Sequence, residues 1–400
     1  MADKTKFFII AGEASGDLLG SKLIDELKKF SKKNNKNFEF VGIGGVLMQK
    51  AGLTSIFPME DLSVMGFAEV LPHIPKLLRR INQTVESIIN QNPTYLITID
   101  SPDFCFRVVT KLKSRTYKNN YLNDFFNKIK KTHLIAPSVW AYRERRAQKI
   151  AKLYNLLLVI LPFEPPYFEK YGLKTVFIGN PVVEESPDFD KKEQYNKLFR
   201  DKYQIAKSDI LIYVTPGSRV GEVKRIFVEF IKSLNLLTKN HKNIKVVIPL
   251  VSKTKNLVTI MAKNLECDYY LINNEEKELA LFSADFALAK SGTNTIEIAL
   301  YQIPMIIAYR VSFFTYILAK ILLRIKFANL VNLIANKEII PEMIQQNCQS
   351  QKIYNKLGNL VNNKNIAKKQ IQDSQTSLNI LGLNAKTSST NKAINEILAL

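Results

Sequence analysis

Small hydroxyl residues, a glycine and a glutamate follow one another in the second half of the chain at a spacing suited to a phosphorylated ligand. Ser291, Gly292 and Thr293 come directly after a short apolar run, and the residues beyond them have helical spacing. Backbone N–H groups and hydroxyls at the start of a helix favour phosphate. Glu297, one turn further on, can accept hydrogen bonds from ribose hydroxyls. The alternative is that these residues form a capping box, which this stretch alone slightly favours.

A second turn of this kind contains an arginine. Gly217, Ser218 and Arg219 follow the apolar run 211–214, and Glu222 lies at the start of the next predicted helix. The planar guanidinium of an arginine offers a fork of donors that matches a diphosphate. Because both turns follow predicted strands, we expect them at the carboxyl edge of a parallel sheet, where ligands bind.

Two carboxylates follow a predicted strand in the first half of the chain. Asp100 comes directly after the strand 95–99, and Asp103 lies beyond Pro102, which ends the strand. Carboxylates in this position can perform acid–base chemistry, whereas a carboxylate at the start of a helix can simply cap it. We therefore assign capping to Asp103 and chemistry to Asp100.

The first two predicted strands also end in turns that can meet a ligand. Glu13, Ser15 and Asp17 belong to the first turn, and Gly44 and Gly45 belong to the second. Glycines at such turns permit close approach of the backbone to a ligand. The first turn lacks the GxGxxG spacing of a dinucleotide site, which disfavours a dinucleotide oxidoreductase.

The only tryptophan, Trp140, is followed by Arg143, Arg145 and Arg146. An indole near arginines can form a platform for a base or a sugar. Burial in the core is the commoner outcome for a lone tryptophan, so both interpretations remain open.

Composition limits the class of protein. The 400 residues suggest two domains, with 57 basic and 36 acidic side chains and a net charge of +21. Such a charge attracts polyanions, although much of it can be spread over solvated faces. The three cysteines form no metal pattern and no disulfide framework, as expected in a reducing cytosol. No signal peptide and no apolar run of bilayer length is recognisable.

Strands and helices alternate along most of the chain, which predicts an α/β fold of two doubly wound parallel sheets. The Asn/Lys-rich segment 114–131 is expected to be irregular surface chain, and residues 341–346 a short helical piece. The apolar segment 312–327 is too short and too charged to span a membrane, and it predicts a buried or interfacial helix.

An apolar block flanked by basic residues occupies positions 59–81. Leu77 and Leu78 lie beside Lys76, Arg79 and Arg80. A segment of this composition can lie in a membrane interface. The alternative, a core helix with a solvated basic end, is the commoner outcome for an isolated stretch of this type.

Two doubly wound domains match the GT-B architecture of nucleotide-sugar glycosyltransferases, and ordered motifs along nearly the whole chain resemble the lipid-A-disaccharide synthase family. Each short motif is weak alone, but jointly they are specific. The motifs are AGEASGD (11–17), GIGG (42–45), MGFAEVLPHIPKLLRRI (65–81), IDSPDF (99–104), APSVWAYR (136–143), LPFE (161–164), IGNP (178–181), PGSR (216–219), KSGTNTIEIAL (290–300), NLIA (332–335) and PEMIQ (341–345).

The resemblance implies an inverting, metal-independent hexosyltransferase that needs no cofactor. It would join UDP-2,3-diacylglucosamine to 2,3-diacylglucosamine 1-phosphate (lipid X), giving a β-1,6 disaccharide and UDP. Asp100 is the implied base, with Asp103 as the alternative. Arg219 and the Ser291 turn would meet the diphosphate, and Glu297 the ribose. The other implied binding residues are Glu13, Ser15, Asp17, Gly44, Gly45, Trp140, Gly217, Ser218, Glu222, Gly292, Thr293 and Asn332.

The resemblance also implies an organisation and a location. Residues 1–183 would form the acceptor-side domain, 184–346 the UDP-sugar domain, and 347–400 a helical tail packed on the domains. Because both substrates carry acyl chains, the block 59–81 becomes a membrane-interacting segment at an anionic surface. We expect peripheral attachment to the cytoplasmic face of the inner membrane of a Gram-negative bacterium, no nucleic-acid partner, and a homodimer as one candidate assembly.

The sequence departs from the family pattern at Tyr142, Asn180 and Val331, and the segment 114–131 looks longer than usual. These departures concern local contacts and not the reaction. The alternatives are another GT-B enzyme, such as a UDP-GlcNAc 2-epimerase or a soluble UDP-sugar transferase, or a basic nucleic-acid-binding protein. The last lacks a stacking-aromatic or helix-turn-helix signature.

Overall fold

The computed structural model describes residues 4–62, 74–116, 120–312, 315–317, 320 and 325–400. The chain divides into two compact units. The N-terminal unit comprises Met1–Pro181 and Ala385–Leu400, and the C-terminal unit comprises Val182–Asn384.

The N-terminal unit is built on a sheet of seven strands in the order β3-β2-β1-β4-β5-β6-β7, and all neighbours are parallel. The order reverses between β1 and β4, so that these strands form the switch point of a doubly wound sheet. The strands are β1 Lys4–Ala11, β2 Asn37–Ile43, β3 Thr54–Ser55, β4 Tyr95–Ile99, β5 Lys130–Leu134, β6 Leu156–Val159 and β7 Lys174–Phe177.

Helices cover this sheet, since every residue of β4 is buried and successive side chains of a strand point to opposite faces. The last helix of the chain returns to this unit, and its Ile394 and Ile397 join the same apolar core. The helices are Ala14–Lys33, Val46–Lys50, Ile74–Gln91, Pro102–Thr116, Asn120–Lys128, Arg146–Ala151, Pro165–Glu169 and Ser389–Leu398, with a 3-10 turn at Met59–Leu62.

The C-terminal unit repeats the plan with six parallel strands in the order β10-β9-β8-β11-β12-β13 and its switch point between β8 and β11. The strands are β8 Ile210–Thr215, β9 Ile244–Pro249, β10 Tyr269–Ile272, β11 Phe286–Lys290, β12 Met305–Tyr309 and β13 Glu342–Ile344. The helices are Pro181–Glu184, which crosses the boundary between the units, Lys192–Lys202, Val220–Asn240, Lys255–Ala262, Lys277–Ser283, Asn294–Leu300, Leu330–Ala335, Ser350–Asn362 and Lys364–Ile380, with 3-10 turns at Phe189–Lys191, Asn274–Glu276 and Gln345–Asn347.

The predicted fold class of two doubly wound parallel sheets is confirmed, but two local predictions are wrong. The segment expected to be irregular surface chain contains the helix Asn120–Lys128, which buries Phe125 and Phe126. The piece expected to be helical at 341–346 contains β13, which pairs with β12 at the sheet edge. A three-residue strand is too short to show period-two alternation, and its pairing is non-local.

The chain's division differs in detail from the predicted domain limits. The units meet between Pro181 and Val182, two residues before the predicted boundary. The predicted tail 347–400 is split, because residues up to Asn384 belong to the C-terminal unit and the rest to the N-terminal unit. Half of the expected helix 312–327 and residues 63–73 of the predicted membrane segment lie outside the described residues.

Candidate functional site

The switch point of the N-terminal sheet brings two of the predicted residues together. Ala11 of β1 lies opposite Ile99 of β4, so the chain leaves the two strands side by side at Gly12 and Asp100. A Cβ atom on Gly12 would lie 2.4 Å from the hydroxyl oxygen of Ser101. Glycine is therefore required where the two turns touch.

Asp100 is held in an unusual backbone conformation. Its φ angle is +50° and that of Ser101 is +43°, both in the left-handed region that costs energy for residues with a side chain. The Ser101 N–H donates to the Asp100 carboxylate at 2.9 Å. Burial raises the pKa of Asp100, and this hydrogen bond partly opposes the rise. A carboxyl group with a raised pKa is a better proton acceptor than an ordinary aspartate.

Glu13, in the turn after β1, is close enough to this carboxylate to feel its charge. Burial raises the pKa of Glu13, and the negative charge of Asp100 raises it further. Ser15, on the first turn of the helix Ala14–Lys33, is exposed. The structure therefore places two interacting carboxyl groups and an exposed hydroxyl on neighbouring turns.

Asp17 and the glycines Gly44 and Gly45 make close contacts within the chain. The buried carboxylate of Asp17 accepts three backbone hydrogen bonds, from Gly45 at 2.8 Å and from Leu47 and Met48 at 3.0 Å each. A Cβ atom on Gly45 would lie 2.5 Å from that carboxylate. The close approach expected for a ligand is thus made by Asp17, which caps the helix Val46–Lys50.

The side chain of Asp103 contacts a different part of the chain from the Asp100 turn. Its side chain is exposed, and its carboxylate accepts a hydrogen bond from Arg146 at 2.7 Å. The helix begins at Pro102, so Asp103 belongs to its first turn and not to its cap position. The predicted capping role is therefore replaced by an ion pair between two helices.

Trp140 is half-buried and is held by a carboxyl group that we did not single out from the sequence. Its indole N–H donates to Glu164 at 3.1 Å, and the other oxygen of Glu164 accepts from the Leu161 N–H at 3.1 Å. The Trp140 ring meets Phe163 edge-on at 5.2 Å. Burial raises the pKa of Glu164 to about 7. The sequence contained a signal for this burial, because Glu164 stands in the otherwise apolar segment LPFE.

In the C-terminal unit the two predicted phosphate-binding turns also meet at a switch point. Thr215 of β8 lies opposite Ala289 of β11, so both turns leave the same edge of the sheet. The side-chain amide of Asn294 donates to the Thr215 hydroxyl at 2.8 Å and joins the turns.

The capping box considered for the Ser291 turn is wrong. The helix begins at Asn294, and the Thr293 side chain makes no capping hydrogen bond. The Ser291 hydroxyl donates to the Ala328 carbonyl at 2.7 Å instead. Glu297 forms an ion pair with Lys277 at 2.6 Å. Gly292 and Thr293 are exposed, so the turn can meet a ligand.

Beside the arginine turn lie the buried carboxylate of Glu222 and the ammonium of Lys290, a lysine that was not among the predicted site residues. Glu222 is 6% exposed and lies 3.2 Å from the ammonium of Lys290 and 3.8 Å from the guanidinium of Arg219. Gly217, with a φ of +130°, brings the turn against the Glu222 side chain. A lysine ending an apolar strand just before Ser291 is the signal that would have identified Lys290.

Asn332 is fully buried and its amide is completely used within the chain. Its oxygen accepts from the N–H groups of Ile339 and Ile340, both at 2.9 Å. Its nitrogen donates to the Ile340 carbonyl at 2.8 Å and to the Glu342 carboxylate at 2.9 Å. These hydrogen bonds give Asn332 a structural role, and its contact with a ligand stays a prediction.

Three further features concern cysteines, metals and membrane spans. Cys105, Cys267 and Cys348 are all unpaired. No group of three or more His, Cys, Asp or Glu side chains is arranged to hold a metal in the described part of the chain. Among the described helices, none combines the length and the apolar character that crossing a bilayer requires.

Comparison with known proteins gives consistent matches. A family model described as lipid-A-disaccharide synthetase matches residues 7–397. A lipid-A-disaccharide synthase from Rickettsia akari (strain Hartford) is 41% identical over 386 residues, 96% of this chain and 93% of that protein.

Two solved structures show the fold. UDP-GlcNAc 2-epimerase from Neisseria meningitidis bound to UDP-GlcNAc has a TM-score of 0.60 at 12% identity, covering 99% of this chain and 100% of that one. A glycosyltransferase from Rickettsia africae ESF-5 has a TM-score of 0.55 at 14% identity, covering 99% of both chains. These likenesses confirm the predicted GT-B architecture.

Proposed function

The chain belongs to the lipid-A-disaccharide synthase family, and we propose from this membership that it transfers 2,3-diacylglucosamine from UDP-2,3-diacylglucosamine to lipid X. The products are the β-1,6 lipid A disaccharide 1-phosphate and UDP. The observation that carries the proposal is the family match over residues 7–397. The fold agrees with it, because the polar turns of each unit lie at the switch point of its sheet.

The reaction requires one proton acceptor and one site for a leaving diphosphate. The acceptor's 6-hydroxyl oxygen forms a bond to the donor's anomeric carbon from the face opposite UDP, which inverts the configuration. The bond from that carbon to the β-phosphate oxygen breaks, and its electron pair goes to UDP. The hydroxyl proton goes to Asp100, whose raised pKa and half-buried position support this role.

The donor nucleotide is assigned to the C-terminal unit. Exposed Gly292 and Thr293 and the guanidinium of Arg219, which is 74% exposed, can reach a diphosphate. Glu297 is assigned to the ribose, where its ion pair with Lys277 would orient the carboxylate. Glu13 and Ser15 in the N-terminal unit are assigned to the acceptor.

Attachment to an anionic membrane surface is a further part of the proposal. The helix Ile74–Gln91 is buried only from Ile81 onward, and its first turns expose Ile74 and Leu78 beside Lys76 and Arg79. Apolar and basic side chains exposed together suit the interface of an anionic bilayer. Ion pairs from Lys76 and Arg80 to Asp61 hold this end of the helix against the unit.

The proposal is tested by incubating the purified protein with both acylated substrates in mixed micelles containing EDTA. We expect UDP and the disaccharide phosphate by mass spectrometry, and loss of turnover by at least about a hundredfold in Asp100→Ala. Asp103→Ala, matched in type but paired with Arg146, separates the two candidate bases. Absence of disaccharide from folded wild type, or activity only with unacylated UDP-GlcNAc, would reject the proposal in favour of a soluble UDP-sugar enzyme.

A further inference from the structure

We propose that Lys290 is the principal cation for the donor's diphosphate and for the charge that develops on departing UDP, with Glu222 as the residue that positions it. The inference rests on the proposed function, because the diphosphate is that of the proposed donor. Lys290 ends β11 at the switch point of the C-terminal sheet, directly before the Ser291 turn. Ligands of doubly wound sheets bind at this point.

The Lys290 ammonium lies between the two phosphate-binding turns. It is 3.2 Å from the carboxylate of Glu222, which belongs to the helix that follows the arginine turn. It is 3.7 Å from the position that a Cβ atom on Gly292 would occupy, in the other turn. It also lies 5.4 Å from the centroid of the Tyr309 ring. The Lys290 ammonium is therefore held where both turns can approach one ligand.

Burial distinguishes Lys290 from the arginine that the sequence favoured. The Lys290 side chain is 19% exposed, whereas that of Arg219 is 74% exposed. A charge at an exposed position is screened by water, and the same charge at a buried position acts more strongly on a nearby anion. We therefore expect Lys290 to contribute more than Arg219 to stabilising the diphosphate, with Arg219 acting at its rim.

The pair of Glu222 and Lys290 is incomplete in its hydrogen bonds. One oxygen of Glu222 faces Lys290, but the other is buried and has no partner among the described residues. A buried acceptor without a donor is costly. An ammonium has three donors, so Lys290 can keep its contact with Glu222 and still donate to a phosphate oxygen.

The role in transfer follows from this geometry. When the bond between the anomeric carbon and the β-phosphate oxygen breaks, the electron pair remains on that phosphate. The Lys290 ammonium donates to the phosphate oxygens, so its stabilisation grows as the negative charge grows. Glu222 acts through Lys290 and fixes the ammonium between the turns.

The test is calorimetric titration of UDP and of uridine into wild type, Lys290→Met and Lys290→Arg. Lys290→Met is expected to weaken UDP binding by about 10- to 100-fold and to leave uridine binding within about twofold. Lys290→Arg keeps the charge and is expected to keep most of the UDP affinity. Lys245→Met is the matched control, because Lys245 is 20% exposed and paired with Asp268 elsewhere in the same unit.

A second comparison removes the unpaired carboxylate that Lys290→Met would leave. The double variant Lys290→Met/Glu222→Gln is compared with Glu222→Gln, and a smaller but still measurable loss of UDP affinity is expected, because the two side chains are in contact and Glu222 positions Lys290. If Lys290→Met bound UDP as wild type does, and the double variant bound it as Glu222→Gln does, with Lys245→Met also unchanged, the role of Lys290 would be overturned. The proposed function would not be affected by that result. Failure of wild type to bind UDP would instead overturn the proposed function.

Discussion

Carboxyl groups at the edge of the N-terminal sheet differ in what surrounds them, and their chemistry differs accordingly. Glu13 and Asp100 each have a pKa raised chiefly by burial, and the negative charge of Asp100 raises the pKa of Glu13 further. Two carboxyl groups coupled in this way release their protons over a wider pH range than isolated ones. The raised pKa of Glu13 makes its negatively charged form less favourable beside Asp100.

Glu164 illustrates how burial acts on a carboxyl group. Its pKa is raised from 4.5 to about 7, and the residue is 2% exposed. Between these two values the unfolded chain loses the Glu164 proton and the folded chain keeps it. Folding stability therefore falls as pH rises through this window, by about 3 kcal/mol for the full shift.

Glu164→Gln is expected to remove this dependence, because glutamine resembles the protonated acid at every pH. The free energy of unfolding, measured by urea titration at several pH values, should rise in Glu164→Gln relative to wild type between pH 4.5 and about 7. Glu169→Gln, an exposed carboxyl in the following helix, is the control. A constant difference between Glu164→Gln and wild type across the window would contradict the raised pKa.

At the scale of elements, the amides of Asn329 and Asn332 join the helix Leu330–Ala335 to the edge strand β13. The Asn332 side chain accepts from the Ile340 N–H and donates to the Ile340 carbonyl and to the Glu342 carboxylate. The same carboxylate accepts from the N–H and the side-chain amide of Asn329. A three-residue edge strand has little stability of its own. The network therefore fixes where β13 pairs with β12.

Asn332→Ala is expected to lower the free energy of unfolding by about 2–4 kcal/mol, because it leaves the buried N–H groups of Ile339 and Ile340 without acceptors. Urea denaturation measures the loss. Asn359→Ala, on an exposed face of the helix Ser350–Asn362, should change stability by less than about 0.5 kcal/mol. If Asn332→Ala were as stable as wild type but bound UDP poorly, the ligand-binding role predicted from the sequence would be restored.

Much of the arrangement of elements could be predicted from the sequence, because the buried parallel strands are short apolar runs that end in glycine, serine or aspartate. The strand 95–99 was predicted at its observed bounds, Tyr95–Ile99. The failures have a physical cause. Lysine and asparagine around Phe125 and Phe126 hid the apolar face of a short helix, and β13 depends on distant partners.

The same distinction applies to the candidate site. The turns at Asp100, Arg219 and Ser291 were predictable because a turn after an apolar strand fixes its place at the sheet's carboxyl edge. The contacts inside that edge were not. Asp17 and Asn332 have the residue types of ligand-binding groups, yet they bind the backbone of the chain itself. Only three-dimensional contacts separate these uses of the same side chain.

At the scale of the whole molecule, two features could attract the protein to an anionic membrane. One is its net charge of +21, and the other is a local surface where exposed apolar side chains lie beside basic ones. Charge alone attracts any polyanion and is screened by salt. Exposed apolar side chains beside basic ones add a contribution that salt does not weaken. The start of the helix Ile74–Gln91 has both features, with Ile74 41% and Leu78 50% exposed.

Leu78→Glu is therefore expected to reduce binding to anionic phosphatidylglycerol vesicles by about tenfold or more, because it removes apolar burial and adds a repelled charge. Co-sedimentation at low and high salt measures the bound fraction, with neutral phosphatidylcholine vesicles as the reference surface. Ile260→Glu is the matched control, since Ile260 is 64% exposed in the other unit. If Leu78→Glu and Ile260→Glu bound as wild type does, general charge alone would explain any attraction. If instead both weakened binding equally, the added negative charge would be the cause, and the attachment assigned to this helix would be wrong.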